Sequence, residues 1–251
     1  MYFLLVCLLS CSKDSSVENI YSVPDEFKLD LTQILSENGA IPAFKLITLD
    51  KIGCSEQELK TEYVRQTNNA FIKIIGVEIV ESCLTSDYIT AEIADYFDNG
   101  LYNFMVQVKN QVENEGTFSV VDNYFTINMH KSPNIKIGNT RVEKLPVESL
   151  WGAIYFTENF KPEILENFKD ILHSSTTSIP NLSRGEYGLF RINKSDAVIL
   201  DKFSQYSGYY GFCLKKNMEE SNFIIKMKSF FAQYPGAKLF LASDKKILLE
   251  L

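Results

Sequence analysis

Apolar and polar residues alternate along much of the first half of the chain, from Phe27 to about Met129. Alternation with a period of two predicts strands that bury one face and expose the other. The apolar positions that define these strands are Phe27-Leu29-Leu31, Phe44-Leu46-Ile47-Leu49, Phe71-Ile72-Ile74-Ile75-Val77-Ile79, Tyr88-Ile89-Ala91-Ile93, Tyr102-Phe104-Val106-Val108, Phe118-Val120 and Phe125-Ile127. Short strands at regular spacing, without an amphipathic helix between them, predict an antiparallel β-sandwich.

Turn-forming residues separate the predicted strands. The turns are predicted at Asn38-Gly39, Asn68-Asn69, Asp98-Asn99-Gly100 and Glu115-Gly116. The stretch 100–128 (GLYNFMVQVKNQVENEGTFSVVDNYFTIN) holds a Gly-x-Tyr strand, then a polar hairpin and a closing strand. It resembles the last two or three strands of immunoglobulin-like or fibronectin-like modules in bacterial surface proteins. The resemblance implies an immunoglobulin-like fold for this half and no particular activity.

The pattern changes after a polar stretch at 131–147, which contains Pro133, Gly138 and Pro146 and predicts a linker. Residues 152–157 predict a strand, and Pro162 opens a helix that ends near 174–177. Five apolar residues recur at one-face spacing along this helix: Ile164, Leu165, Phe168, Ile171 and Leu172. The second half is therefore predicted to contain helices as well as strands.

Further strands are predicted at 187–192, around 197–200 and at 209–214. A second helix is predicted from Asn217, with Glu220 three residues later as a variant of the capping box, up to Pro235-Gly236. Residues 238–242 and 247–251 predict a closing hairpin. This order is typical of a ferredoxin-like α+β sandwich with an added hairpin. The predicted fold class is α+β with two domains.

The N-terminus carries an apolar run, Tyr2 to Leu9, that is far shorter than the roughly 20 residues a membrane-spanning helix needs. Its length is typical of the apolar region of a secretory signal. No Lys or Arg precedes the run, so we expect the natural start to lie upstream of Met1. The sequence Leu8-Leu9-Ser10-Cys11 resembles the lipobox of bacterial lipoproteins. That resemblance implies cleavage before Cys11 and acylation of Cys11 with fatty chains such as palmitate.

The residues after Cys11 (SKDSS) resemble the short stretch that follows the lipidated cysteine in many surface-exported lipoproteins. This resemblance implies an outer-membrane protein at the cell surface or on the periplasmic face. Two or three acyl chains make attachment durable, because each buried methylene contributes about 0.8 kcal/mol. The predicted divisions are a signal peptide at 1–10, a lipidated tether at 11–26, a β-sandwich domain at 27–130, a linker at 131–147 and an α+β domain at 148–251.

Three cysteines lie in the predicted folded body, and export would place them in an oxidising compartment. Cys54 and Cys83 each lie near the end of a strand-like run in the same half, so we predict a disulfide between them. Such a bridge would close a loop of about 30 residues and contribute roughly 3.6 kcal/mol in the chain-entropy model. Cys213 lies in an apolar strand and is predicted to be a small buried apolar residue.

Charge and motif content exclude several function classes. A formal charge of −7 and a pI near 5.0 disfavour nucleic acid as a partner. His130 and His173 have no serine or cysteine motif beside them, and the chain has neither a nucleophile elbow nor a phosphate-binding loop. The carboxylates Glu92, Asp95, Asp98 and Asp122 are interpreted as solvent-facing groups rather than a glycosidase pair or a calcium loop. We therefore predict no enzyme activity, no metal and no cofactor.

Aromatic residues are the remaining candidates for ligand contact. Tyr206 and Tyr209 lie where a loop meets a strand, and Trp151 is the single tryptophan. Exposed aromatic rings stack on ligands and anchor interfaces, although Tyr210, Phe212 and Leu214 on the same strand have ordinary core spacing.

The sequence thus favours a non-enzymatic, membrane-anchored lipoprotein that binds a glycan or protein partner. The alternative is a membrane-tethered immunity or inhibitor protein that neutralises a periplasmic toxin or protease, since an acidic surface steers basic partners.

Overall fold

The computed structural model describes residues 21–22, 24, 26–53, 57–78, 86–109, 112–158, 160–180 and 182–251. The predicted signal peptide, the lipidation site Cys11 and the predicted Cys54–Cys83 disulfide lie outside these residues. We refer to residues 21–147 as the N-terminal half and to residues 148–251 as the C-terminal half.

The described residues of the N-terminal half fold mainly as strands. The strands are β1 (Tyr21–Ser22), β2 (Phe27–Ile34), β3 (Ile41–Thr48), β4 (Leu59–Gln66), β5 (Asn69–Glu78), β6 (Thr90–Ala94), β7 (Gly100–Val108), β8 (Val112–Val120), β9 (Tyr124–Lys131), β10 (Ile135–Ile137) and β11 (Arg141–Glu143). One sheet has the order β1-β5-β7-β8-β9-β11, with β4 also paired to β5, and the other has the order β10-β2-β3-β6.

Both sheets bury their apolar faces in one shared core. Alternate residues of β2 (Phe27, Leu29 and Leu31) lie in the same buried cluster as Phe104 of β7 and Phe118 of β8, in the other sheet. The period-two pattern in the sequence produces this arrangement, because alternate side chains of a strand leave on opposite faces.

Two pairings differ from the antiparallel arrangement predicted from the sequence. β10 runs parallel to β2, and β7 runs parallel to β5. The second parallel pair arises because β6, which lies between β5 and β7 in the chain, joins the other sheet. The chain then re-enters the first sheet in the direction of β5, as a crossover requires.

One turn predicted in this half is absent, and one strand was not predicted. Glu115-Gly116, predicted as a turn, lies inside β8, where the register with β9 shifts by a bulge. Gly116 is required there because a Cβ would come 2.5 Å from the carbonyl oxygen of Asn128. Strand β4 was not predicted, because apart from Leu59 and the partly buried Tyr63 it offers little apolar surface to the core.

The segment 131–147, predicted to be a linker, is largely built into the two sheets. It contributes β10, which pairs with β2, and β11, which pairs with β9. Its short strands hold few apolar residues, which is why the sequence resembled a loop.

The C-terminal half combines strands with two helices in the described residues. Its elements are β12 (Ser149–Phe156), α1 (Pro162–Ser175), β13 (Thr176–Thr177), β14 (Gly185–Glu186), β15 (Arg191–Ile192), β16 (Val198–Ile199), β17 (Ser207–Lys216), α2 (Glu220–Phe231), β18 (Ala237–Ser243) and β19 (Ile247–Glu250). They form a sheet of order β14-β15-β16-β17-β12-β18-β19, with β13 also paired to β17. Together with the first half they make an α+β protein, as predicted.

The central strand β12 is buried on both faces. Ile154 and Phe156 face a core shared with the apolar sides of α1 and α2, as the one-face spacing of α1 predicted. Trp151 and Ala153 face a second core, which is covered by the segment between α1 and β17. A strand covered on both sides needs apolar residues at successive positions, which explains the uninterrupted run in β12.

Helix α2 begins at Glu220 rather than at the predicted Asn217, and no side-chain capping bond forms. Asn217 is instead used at the edge of the sheet, where its side-chain oxygen accepts a hydrogen bond from Thr177 at 3.2 Å. Glu220 pairs with Lys246 at 3.1 Å. The predicted hairpin is present as β18 and β19.

In the part of the chain that the structure describes, neither helix has the length and apolar character needed to cross a membrane.

The two halves are joined through the buried side chain of Gln33 on β2. Its amide nitrogen donates to the backbone oxygens of Glu143 and Tyr187, and its side-chain oxygen accepts from the backbone nitrogen of Leu145 at 3.3 Å. Gly188 packs so closely on β2 that a Cβ there would come 2.7 Å from the backbone nitrogen of Gln33. Backbone groups of both halves thus depend on one residue.

Candidate functional site

Trp151, a candidate for ligand contact, is a structural residue. It is 3% exposed and packs between Phe190 and Phe240, with ring centroids 5.3 and 5.5 Å away. Its indole nitrogen donates to the backbone oxygen of Ser243 at 3.0 Å. Both its apolar surface and its one donor are therefore used inside the protein.

Tyr209, the second candidate, holds strand β16 against β17. Its hydroxyl donates to the backbone oxygen of Val198 at 3.0 Å and accepts from the backbone nitrogen of Leu200 at 2.7 Å. Burial raises the pKa of Tyr209, so the hydroxyl stays protonated and keeps both bonds at neutral pH. Its ring packs on the second core of the C-terminal half.

Tyr206, the third candidate, is 38% exposed and ends a row of aromatic rings. Its ring lies 4.8 Å from that of Tyr155, which lies 4.8 Å from that of Phe203 at an angle of 17°. Phe203 contacts the buried Phe240 at 5.3 Å. We call Phe203, Tyr155 and Tyr206 the aromatic ladder, because the rings lead from the core to solvent.

The ladder forms one wall of a groove of about 470 Å³, which we call the aromatic groove. Its lining residues are Tyr155, Lys202, Phe203, Gln205, Tyr206, Glu250 and Leu251. Lys202 and Glu250, both in this lining, form an ion pair at 3.4 Å, and the Lys202 ammonium lies 5.1 Å from the centre of the Phe203 ring. The groove thus combines flat apolar rings with a polar rim, as small-molecule sites do.

The fold brings these residues together from three separate elements. Tyr155 comes from β12, Glu250 from β19, and Phe203 and Tyr206 from the turn before β17. Burial raises the pKa of Tyr155, and the negative charge of Glu250 adds to this effect. The Tyr155 hydroxyl therefore remains a hydrogen-bond donor at neutral pH.

A second cavity, which we call the junction cleft, lies between the two halves and has a volume of about 500 Å³. It is lined by Asp122, Asn123, Glu143, Lys144, Leu145, Pro146, Val147, Ile179, Pro180, Leu182, Ser183 and Tyr187. Glu143 is paired with Arg141 at 2.7 Å, and the ammonium of Lys144 lies 3.3 Å from Asn99 Oδ1. Burial lowers the pKa of Lys144. The charged groups of this cleft thus already have partners within the protein.

The remaining residues considered in the sequence have structural or solvent-facing positions. Asp95 accepts from the hydroxyl of Tyr63 at 2.8 Å, and Asp122 accepts from the side-chain nitrogen of Asn99 at 2.5 Å. Nowhere in the described ranges do three His, Cys, Asp or Glu residues group in a way that could hold a metal ion.

Cys213 is buried, as its position in an apolar strand predicted. Burial raises the pKa of its thiol to about 12. The thiol is therefore protonated and weakly nucleophilic at neutral pH.

Sequence reasoning identified Tyr206 but not Tyr155, Phe203 or Glu250. Tyr155 belongs to the apolar run of β12 and resembles a core residue, and Glu250 resembles an ordinary exposed charge. No feature of the sequence links these three residues. They are recognised as a group only because the fold places them in one groove.

No protein-family model, no curated protein and no solved structure matches this chain.

Proposed function

We propose that the chain is a non-enzymatic, membrane-anchored lipoprotein that binds a ligand in the aromatic groove. The observation that carries the proposal is the aromatic ladder, which ends in the exposed ring of Tyr206 beside the Lys202–Glu250 pair. The aromatic rings of the ladder are already held in place by packing against the core. They can therefore contact a ligand with little loss of side-chain conformational entropy. Such a surface suits recognition of a ligand rather than packing alone.

The anchor in this proposal is an acyl group on Cys11, and the location is the outer membrane, at the cell surface or on the periplasmic face. The lipobox resemblance of Leu8-Leu9-Ser10-Cys11 and the following SKDSS support it. An oxidising location would also allow the proposed Cys54–Cys83 disulfide.

For the architecture we propose an immunoglobulin-like N-terminal domain that presents a ferredoxin-like C-terminal domain. The core shared by the two N-terminal sheets supports the first assignment. The order of strands and helices from β12 to β19 supports the second. The aromatic groove would then lie on the presented domain.

The anchor is tested by Cys11→Ser in the native host. We expect the wild-type chain to partition into the detergent phase and the variant into the aqueous phase, because the acyl chains provide the membrane affinity. Cys7→Ser is the matched control and should still partition into detergent. Detergent-phase partitioning of Cys11→Ser would contradict the proposal.

Ligand binding is tested by backbone-amide NMR on the isotope-labelled full chain, with a panel of oligosaccharides and peptides added in turn. We expect at least one ligand to shift the amide signals of Tyr155, Phe203 and Tyr206, because a ligand that stacks on the ladder changes the local environment of these residues. Tyr96, which is 61% exposed, is the control and should not shift. Ligands that shift only signals outside the groove would contradict its assignment.

The inhibitor function is a second candidate, favoured by the junction cleft. Val147 is 79% exposed at this cleft, beside Pro146 and Pro180, and exposed apolar residues are common in protein interfaces. This function predicts one tightly bound basic protein whose association slows as salt is raised. Val147→Asp should weaken that complex, whereas Tyr206→Ala should leave it unchanged.

A further inference from the structure

We infer that the ligand of the aromatic groove is a neutral hexopyranose unit of a glycan. The inference rests on the proposed function and adds the chemical class of the ligand. Three features of the groove carry it: the flat rings, the balanced charge of the rim and the rigidity of the turn that holds the ladder.

The rings supply the apolar part of the recognition. A pyranose has one face made mainly of C–H groups, which packs flat on an aromatic ring and makes weak C–H contacts with its electron-rich face. Tyr206 is the outer ring of the ladder and is 38% exposed. The Tyr155 ring lies 4.8 Å from it, centre to centre, at an angle of 33°, so Tyr155 stacks against Tyr206 and supports it from the side of the core. The exposed part of Tyr206 is thus a platform one ring wide, which suits a single sugar ring.

The polar rim supplies hydrogen bonds without net charge. Lys202 offers donors and Glu250 offers acceptors, and the two side chains neutralise each other at 3.4 Å. The amide of Gln205 and the hydroxyl of Tyr155 add groups that can both donate and accept. Vicinal hydroxyls of a sugar can bond a neighbouring donor and acceptor together. A charged ligand would leave one member of the pair opposed by a like charge.

The turn that carries Phe203 and Tyr206 is held by its own hydrogen bonds. The backbone nitrogens of Phe203 and Ser204 donate to the oxygen of Leu200 at 2.9 and 3.1 Å, and that of Tyr206 donates to the oxygen of Phe203 at 3.1 Å. Phe203 is itself buried against Phe240. The platform is therefore formed before the ligand arrives, which reduces the entropic cost of binding.

The test is an NMR titration of the isotope-labelled full chain with methyl β-D-glucopyranoside and methyl α-D-mannopyranoside. We expect at least one of them to shift the amides of Tyr155, Phe203 and Tyr206 with a Kd in the millimolar range, as is typical of a small ligand on an open site. Tyr206→Ala should weaken binding about tenfold or more, because it removes the exposed stacking face. Tyr206→Phe should retain binding within about threefold, because the ring remains.

Two further variants test whether the polar rim takes part in binding and whether the loss of an exposed tyrosine outside the groove affects it. Glu250→Gln should weaken binding several-fold and improve the relative binding of glucuronic acid, whose carboxylate no longer meets a like charge. Tyr96→Ala, at an exposed tyrosine in the other half, should bind the glycosides as the wild type does. Unchanged thermal melting of each variant shows that the fold is intact.

The outcomes distinguish the inference from the function on which it rests. Groove amides that shift with peptides but with neither glycoside nor longer glycans would overturn the sugar assignment and leave the binding function in place. Groove amides that respond to no sugar and no peptide would overturn both. Glycoside binding that survives Tyr206→Ala unchanged would place the sugar elsewhere and overturn the inference.

Discussion

Gln33→Leu is expected to lower the free energy of unfolding by roughly 3 kcal/mol, because it leaves buried backbone groups without partners. Gln33 is 1% exposed, and its amide binds Glu143, Leu145 and Tyr187. Leucine fills a similar volume, so the effect would come from the lost hydrogen bonds rather than from a cavity. Urea unfolding followed by circular dichroism measures the change.

The matched control is Gln233→Leu, which removes one exposed hydrogen bond to the oxygen of Ser229. This change should alter stability by no more than about 0.5 kcal/mol. A midpoint for Gln33→Leu equal to that of the control would show that the three bonds do not stabilise the fold, including the bond to Tyr187 that joins the halves. If the wild type unfolds in one step and the variant in two, the hydrogen bonds of Gln33 are what makes the two halves unfold together.

Gly152→Ala is expected to lower the free energy of unfolding by about 3 kcal/mol, because the new methyl group meets backbone atoms. A Cβ at Gly152 would lie 2.0 Å from the carbonyl oxygen of Phe240 and 3.2 Å from the Cα of Leu241. Those atoms belong to β18, which pairs with β12 along its length, so they cannot move without loss of ladder hydrogen bonds. Thermal or urea unfolding measures the loss.

Gly100→Ala is the control for this change. Gly100 is also a strand residue, the first of β7, but a Cβ there would have ordinary contacts of 3.7 Å or more, all with Tyr102. Its stability should stay within about 0.5 kcal/mol of the wild type or rise slightly, since alanine restricts the unfolded chain. Equal losses in the two variants would mean that the close approach of β18 to Gly152 does not decide the cost.

Much of the secondary structure could be predicted because it depends on neighbouring positions in the chain. Phe27, Leu29 and Leu31 lie on one face of β2, and the spacing of Ile164, Phe168 and Leu172 produced the buried side of α1. Sequence periodicity indicates such faces directly. It gave no indication of β4, whose stability comes from pairing with β5 rather than from its own apolar residues.

The pairing of strands could not be predicted in the same way. Strands β5 and β7 can pair in parallel because β6, which lies between them in the chain, belongs to the other sheet. The position of β6 depends on packing in the core that the two sheets share. Segment 131–147 joined the sheets through backbone hydrogen bonds, which leave no trace in residue type.

The candidate site shows the same division. Sequence reasoning selected Trp151, Tyr206 and Tyr209 because aromatic rings are chemically suited to ligand contact. The structure buries Trp151 and commits the hydroxyl of Tyr209 to the backbone, and it leaves Tyr206 exposed beside Tyr155.

The sequence by itself determined which faces of its strands and helices are apolar, and hence that the chain is an α+β protein with several strand-rich segments. Only the tertiary structure decided which strands pair, that Gln33 joins the halves, and that Tyr155, Tyr206 and Glu250 meet in one groove. The reason is physical: the direction of a side chain follows from local backbone geometry, whereas contacts between distant residues depend on how whole elements pack.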